Sequence, residues 1–461
     1  MSEFKNYRHL AWIAAIALFM QSLDATILNT ALPAISHALN ASPLNMQMAI
    51  ISYSLTIALF IPLTSWLSDK FGTRRLFQFA LLVFVLGSIA CALAYSVQTL
   101  VAARILQGIG GAFMMPVARV AIVKNIPKIH LVEAWNSMAI AGLIGPVLGP
   151  IVGGWLVTNA SWQWIFLINI PIGLLGILAA NRYMPDSFGQ PSKLDWRGFL
   201  LFSGGLTGLT LGLDLVAEQL ENQWLAASIL CAGLLFFGFY YAFARGDDSV
   251  ILPLKPFHTR TFSLGMLANF FIRLAGSSIP FLLPLLFQVV FDYSAEMAGW
   301  LLAPVAIASI LAKFVAGKLL HRFGYKYTLI GGSFGLALSV VLMGLLNAQT
   351  PLWYVCLLLA FYGACMSVIF TAINTLTICE LDDHTASAGA TYLSIMQQVG
   401  IGIGIAVASV ILSFYRLHFG ENQAQLLQAF SFTFFSVALF CIGLLATLSR
   451  LNKNDGENNL R

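Results

Sequence analysis

Two charged residues that the chain buries in apolar surroundings offer the most direct chemistry. Asp24 stands in FMQSLDATILNTALP, the first long apolar run, and is the only acid deep in any such run; Arg104 stands in LVAARILQGIGGA, the fourth. A charge in the middle of a bilayer costs about 2.5 to 3.5 kcal/mol on insertion scales, so each is a functional candidate by default. Counting from the outer ends of their runs at 1.5 Å per residue, Asp24 lies about 12 Å and Arg104 about 9 Å below the surface. The two charges share a depth. Burial disfavours a charged carboxylate and a neighbouring guanidinium favours it. If access alternates between two sides, that balance alternates too, and Asp24 can load and release a proton. The other reading, a static pair that holds the first and fourth helices in register, stays open. Gln21 and Asn29 lie at roughly helical spacing from Asp24, either lining the same polar stripe or bonding between helices.

Arg273, in NFFIRLAGSSIP, lies near the middle of the ninth run. Its own half of the chain offers no obvious buried acid. It faces a central cavity and takes an anionic or polar group of a substrate, pairs with Asp24, or rests on backbone carbonyls. Two buried arginines against one deep acid favour neutral or anionic substrates over dications. Arg119 and Lys313 fall near the ends of their runs, within reach of snorkelling.

The fifth run contains AGLIGPVLGPIVGG, with Gly142, Gly145, Gly149, Gly153 and Gly154. Gly145, Gly149 and Gly153 recur every four residues, a stripe without side chains along which another helix backbone can approach closely. Pro146 and Pro150 interrupt the hydrogen-bond ladder and favour a bend. After the second run, SWLSDKFGTRR places Asp69 beside Lys70, Arg74 and Arg75, with Gly72 permitting a tight turn. Acid and base together there either latch neighbouring helices in one conformation or form a solvated loop that sets orientation.

These residues need helices to hold them, and composition supplies those helices in a membrane. Of 461 residues, 59% are hydrophobic and 9% charged, whereas soluble domains carry roughly a quarter charged residues. Fourteen long apolar runs are legible, each near the roughly 20 residues that cross a bilayer. The first is too long for a cleaved signal segment and reads as a retained helix. Lys70, Arg74, Arg75, Lys124, Lys128, Arg182, Lys318, Arg322, Lys326 and Arg450 fall on one side, and the opposite loops retain only Arg416. That asymmetry makes the charged side cytoplasmic, with both termini there.

The architecture expected is all-α, two six-helix bundles plus two inserted helices. Residues 1–184 form the N-terminal bundle, 185–261 a linker with the inserted seventh and eighth helices, and 262–461 the C-terminal bundle. A weak repeat relates SWLSDKFGTRRL to GKLLHRFGYKYT, each with Phe-Gly among basic residues. Duplicated halves around a cavity are a transporter architecture. The six cysteines lie singly in or beside apolar stretches and read as small buried hydrophobes. No metal cluster, nucleophile triad or phosphate-binding glycine loop supports an enzyme, since GIGGA lies inside a span. A sensor would need an appended soluble domain, and no loop is long enough to hold one.

Together the segments resemble the major facilitator superfamily, and within it the fourteen-helix drug:proton antiporter branch. The first-helix motif matches LDATILNTALP with Asp24, and the fourth-helix motif matches LVAARILQGIGGA with Arg104, Gln107 and Gly108. The loop motif matches SWLSDKFGTRR, with Ser65 where glycine is usual and Thr73 where a basic residue is usual. The fifth-helix antiporter motif matches GLIGPVLGPIVGG, and SWQWIFLINIPIG, with Trp162, Trp164, Asn169 and Pro171, also looks like this branch. The resemblance implies alternating access and proton coupling through Asp24 and Arg104, while nothing in the second half matches a substrate motif. From the residues themselves, Gln21, Asn29, Gln107 and Arg273 are expected to line a substrate cavity, and Asp69, Gly72 and Arg74 to form a latch. It implies a multi-pass inner-membrane exporter of small organic compounds exchanged for protons, without metal or cofactor. Import or facilitated diffusion of a polar nutrient is the alternative, against which the fifth-helix repeat argues. The partners expected are the substrate, protons and the bilayer; nothing suits nucleic acid, and a periplasmic adaptor is left open.

Overall fold

The computed structural model describes residues 8–127, 130–189, 194–217, 223–247 and 250–456. Lys128, on the basic side of the charge asymmetry, lies outside them. Among these residues thirteen long helical segments follow one another: α1 (Arg8–Ala38), α2 (Pro43–Phe71), α3 (Thr73–Ala92), α4 (Val97–Asn125), α5 (Leu131–Asn159), α6 (Trp164–Tyr183), α7 (Trp196–Ala217), α8 (Gln223–Ala244), α9 (Arg260–Val290), α10 (Ala295–Met343), α11 (Leu352–Cys379), α12 (Asp383–Phe419) and α13 (Gln423–Ser449). Among the described residues twelve of them are long and apolar enough to cross a membrane, and α5 carries a shorter apolar stretch, Ile144–Asn159. A helix satisfies its backbone internally, which hydrocarbon demands. At 49 residues, α10 far exceeds one crossing, and Gly324 breaks it at φ 71°, ψ 174°. Positive φ of that kind is readily open only to glycine.

The chain divides into two compact units, one of residues up to Leu194 with Ser294–Trp300, the other of Asp195–Tyr293 with Leu301–Arg461. In the first, α1 packs along α5 and against α4 and α6, while α3 lies between α4 and α6 and α2 lies on α4. Local chemistry fixes the start of α4: the Ser96 hydroxyl accepts from Thr99 N at 3.2 Å and the Thr99 hydroxyl accepts from Ser96 N at 3.0 Å. This reciprocal cap satisfies two amides that the helix itself cannot.

In the second unit α9 packs against α11, α12 and α13. The α7–α8 hairpin is tight, for a Cβ at Gly208 would sit 2.7 Å from Gly233 Cα. It docks on α12 through α7. Just beyond it, the Leu252 carbonyl accepts from both Tyr240 of α8 at 2.7 Å and Tyr392 of α12 at 2.9 Å. The Asp195 carboxylate, at the foot of α7, accepts from Gly198 N at 2.8 Å and Ile251 N at 3.1 Å. The cysteines meet the expectation only in part: Cys91 and Cys441 are buried, Cys356, Cys365 and Cys379 are half-buried, and Cys231 is exposed on α8.

Candidate functional site

Asp24 lies near the midpoint of α1 and only 1% of its surface is exposed. Arg104, from the third turn of α4, reaches it: Nη1 donates to Asp24 Oδ2 at 2.7 Å. The other carboxylate oxygen accepts from Gln107 Nε2 at 2.8 Å and from Asn169 Nδ2 of α6 at 2.9 Å. Gln107 also accepts from Arg104 Nη1 at 2.6 Å and donates to the Ser88 hydroxyl of α3 at 2.9 Å. Arg104 Nε donates to the Ala49 carbonyl of α2 at 3.0 Å, and its guanidinium lies 4.1 Å from the centre of the Tyr53 ring. Five helices thus converge on one carboxylate, with Arg104 1% exposed and Gln107 and Asn169 0% exposed. Such a pair is tolerated when further hydrogen bonds use the remaining lone pairs and protons.

Gln107 therefore belongs with Asp24 and Arg104 and is closed to solvent. Gln21 is half-buried and donates to the Gly111 carbonyl at 3.2 Å. Asn29 is buried with its Oδ1 unpartnered. Ser88 and Tyr53, and the contact made by Asn169, were not legible from sequence patterns. Polar residues inside the apolar stretches of α2, α3 and α6 were the available signal.

The glycine stripe of α5 meets α1. A Cβ at Gly142 would lie 2.7 Å from Leu18 Cδ2, at Gly145 2.9 Å from Leu23 N, at Gly149 2.9 Å from Thr26 Cβ, and at Gly153 2.6 Å from the Ile27 carbonyl. Gly154 faces the backbone at Ala295 and Glu296 instead. The helix runs unbroken from Leu131 to Asn159 with Pro146 and Pro150 inside it. At about 100° per residue, Ser22 and Thr26 lie roughly opposite Asp24 on α1. One face of α1 is pressed on the glycine stripe while the other presents the carboxylate to α4 and α6.

At one end of the same unit Gly72 adopts φ 88°, and the chain turns sharply from α2 into α3. Asp69 pairs with Lys124 of α4 at 3.0 Å rather than with its sequence neighbours. Arg74 and Arg75 turn to Asp186, whose carboxylate lies 3.2 Å from Arg75 Nε and accepts from Arg74 N at 3.2 Å. Thr73 docks this crossing: its hydroxyl donates to the Pro185 carbonyl at 3.0 Å and accepts from Ser187 N at 3.1 Å. A residue that looks like a departure from a basic loop motif thus serves as a clasp for the segment after α6.

Arg273, in the second unit, is 7% exposed, with its guanidinium 4.5 Å from the centre of the Phe370 ring. Asp24 is not the one acid deep in a helix that the sequence suggested, for Asp214, on α7 in that unit, is buried as well. Arg119 and Lys313 lie at exposed positions.

Apolar helices of membrane-spanning length around a buried carboxylate–guanidinium pair define a multi-pass membrane transport protein, and comparison with known proteins agrees. The sequence profile described as Major Facilitator Superfamily matches residues 14–405 and again 265–459. "Probable transport protein HsrA" of Haemophilus influenzae is 57% identical over 458 residues, covering 99% of this chain and 98% of that one. "Putative multidrug resistance protein MdtD" of Salmonella typhi is 38% identical over 470 residues, covering 100% and 98%. Among solved structures, an inward-facing bacterial homolog of the human lysosomal transporter Spinster aligns with a TM-score of 0.68 at 16% identity, covering 96% of each chain. A D-xylose-proton symporter aligns with a TM-score of 0.66 at 16% identity, covering 94% and 97%. The chain belongs to the Major Facilitator Superfamily, and its fold is the all-helical transporter fold of that family.

Proposed function

We propose that the chain is a proton-coupled antiporter that exports small organic compounds by alternating access. The observation that carries this reading is the buried Asp24 carboxylate with its donors Arg104, Gln107 and Asn169. Protonating Asp24 in this arrangement would strand the Arg104 charge in an apolar bundle. Removing one partner of a buried pair costs about 3–5 kcal/mol. A proton therefore stays only if α1 and α4 part or water enters, which links proton uptake to a change of conformation. In this reading Asp24 and Arg104 couple protons, Gln107 holds them in geometry, Gln21 and Asn29 of the first unit meet the substrate, and so does Arg273 of the second. Asp69, Gly72, Arg74 and Asp186 latch the loop between α2 and α3.

Export rather than import is supported by the fifth-helix Gly-Pro repeat and by a multidrug-resistance name among the relatives. With α5 taken as a span and α10 as two, the layout becomes fourteen spans: bundles of residues 1–184 and 262–461, with α7 and α8 inserted. The lysine and arginine asymmetry supports cytoplasmic termini in the inner membrane.

Proteoliposomes under an imposed pH gradient, loaded with a panel of anionic, neutral and cationic fluorescent compounds, test it. Asp24→Asn should abolish gradient-driven flux and retain exchange without a gradient. Full gradient-driven transport by the asparagine variant would make Asp24 a static partner.

A further inference from the structure

The second unit holds a buried charge for which the described residues supply no counter-ion. Among the described residues no ion pair includes Arg273. Its Nε and Nη2 are closed off from solvent and have no hydrogen-bond partner. Leaving a charged group desolvated and unpaired is among the costliest arrangements a fold can keep. The side chain is nevertheless well held. The Phe370 ring of α11 lies against the guanidinium at 4.5 Å, and α12 closes on the aliphatic stem, where a Cβ at Gly400 would sit 2.7 Å from Arg273 Cβ. Asn269, one turn earlier on the same face of α9, is 0% exposed and leaves its Oδ1 unpartnered as well.

Which nitrogens are unused matters. Nε and Nη2 lie along one edge of the planar guanidinium, and their N–H bonds point the same way. That edge matches the two oxygens of a carboxylate in a bidentate pair. Burial has stripped it of water, and the Phe370 ring against its face accepts no hydrogen bond in the guanidinium plane.

We propose that this edge of Arg273 is the binding site for the carboxylate of the transported compound, and that the substrate class is organic acids. The inference rests on the transporter reading and narrows it. An acid seated there supplies the missing charge, and its apolar remainder is left to the surrounding helices.

Isothermal titration of the full-length protein in nanodiscs with 2-naphthoate and 2-naphthamide tests this, since the two probes share a ring system and differ in charge. The wild type should bind the acid at least about tenfold more tightly than the amide, the size expected of charge-assisted hydrogen bonds. Arg273→Lys keeps the charge and loses the fork, so it should weaken the acid about tenfold and leave the amide unchanged; Arg273→Gln should erase the difference. Equal affinities in the wild type, or no saturable binding of the acid, overturn the proposal with no substitution in the protein. Equal competition by inorganic phosphate also overturns it, by making the site one for small free anions. If vesicles expel a neutral or cationic dye under a proton gradient while naphthoate does not bind, transport stands and the acid class falls. Naphthoate binding with no gradient-driven flux of any compound gives the reverse.

Discussion

Adding one methyl group to α5 at Gly149 should move the protein in the opposite direction from the same change at Gly238 of α8. In each helix Gly→Ala removes backbone freedom from the unfolded chain, a gain of about 0.5–1 kcal/mol. At Gly238 nothing lies within 4 Å of the new Cβ, so that gain is kept. At Gly149 the Cβ would lie 2.9 Å from Thr26 Cβ and 3.1 Å from Ile27 N, where carbon contacts settle at about 3.5–4.0 Å. Thr26 has little freedom to turn aside, because its hydroxyl bonds to the carbonyls of Ser22 at 2.9 Å and Leu23 at 3.2 Å. Relief must come from displacing α1, and overpacking of this kind costs about 1–3 kcal/mol. The net expectation is a stabilised Gly238→Ala and a Gly149→Ala that is neutral to about 2.5 kcal/mol destabilised. Tryptophan-fluorescence melting in one detergent reads the order directly. Because α1 carries Asp24 on its far side, Gly149→Ala should also lower gradient-driven flux more than it lowers stability. If the two variants melt together and transport alike, the glycine stripe is not the close contact that positions α1.

Other substitutions separate strong contacts from weak ones. Lys124→Ala removes a pair whose side chains are 32% and 31% exposed, and such pairs contribute about 0–1 kcal/mol; melting should barely move, and a large drop would mean that Asp69 acts as a principal tie. Asp186→Ala removes the acceptor shared by Arg74 and Arg75, so hydrogen–deuterium exchange at Thr73 and Ser187 should accelerate while α4 stays protected. Gly72→Ala forces a side chain into φ 88° and against the Asp186 carboxylate, a strain of at least about 1–2 kcal/mol, readable as a lower melting temperature. Asn169→Leu leaves Asp24 with one donor fewer and should destabilise by about 1–3 kcal/mol while reducing proton-driven flux; unchanged flux would remove Asn169 from the coupling network.

The helices were legible because hydrocarbon imposes length and apolarity on every span, and equal depth in α1 and α4 was enough to anticipate Asp24 beside Arg104. Depth gives no azimuth, however. It could not tell that Gln107, three residues along α4, faces the carboxylate rather than a cavity, nor that Asn169, 145 residues away in sequence, closes the same network. The spacing of Gly145, Gly149 and Gly153 announced a close helix contact without naming the partner, because any backbone would fit the stripe. The loop charges were visible, but their pairing was not: Asp186 reaches Arg74 across 112 residues, and local pattern holds no record of such a crossing. Phe-Gly at residues 323–324 was legible only as part of a weak repeat, and the structure places it inside what is otherwise one run of helix, broken at Gly324.

A carbonyl oxygen has two lone pairs, and Leu252 has committed both, one to Tyr240 on the α7–α8 hairpin and one to Tyr392 on α12. With Asp195 clamping the foot of α7 to the same short strap, the hairpin has little slack of its own. It is a passenger of the second unit. A fluorophore on α8 near Trp224, which is 85% exposed, would follow that unit's motion without touching its interior.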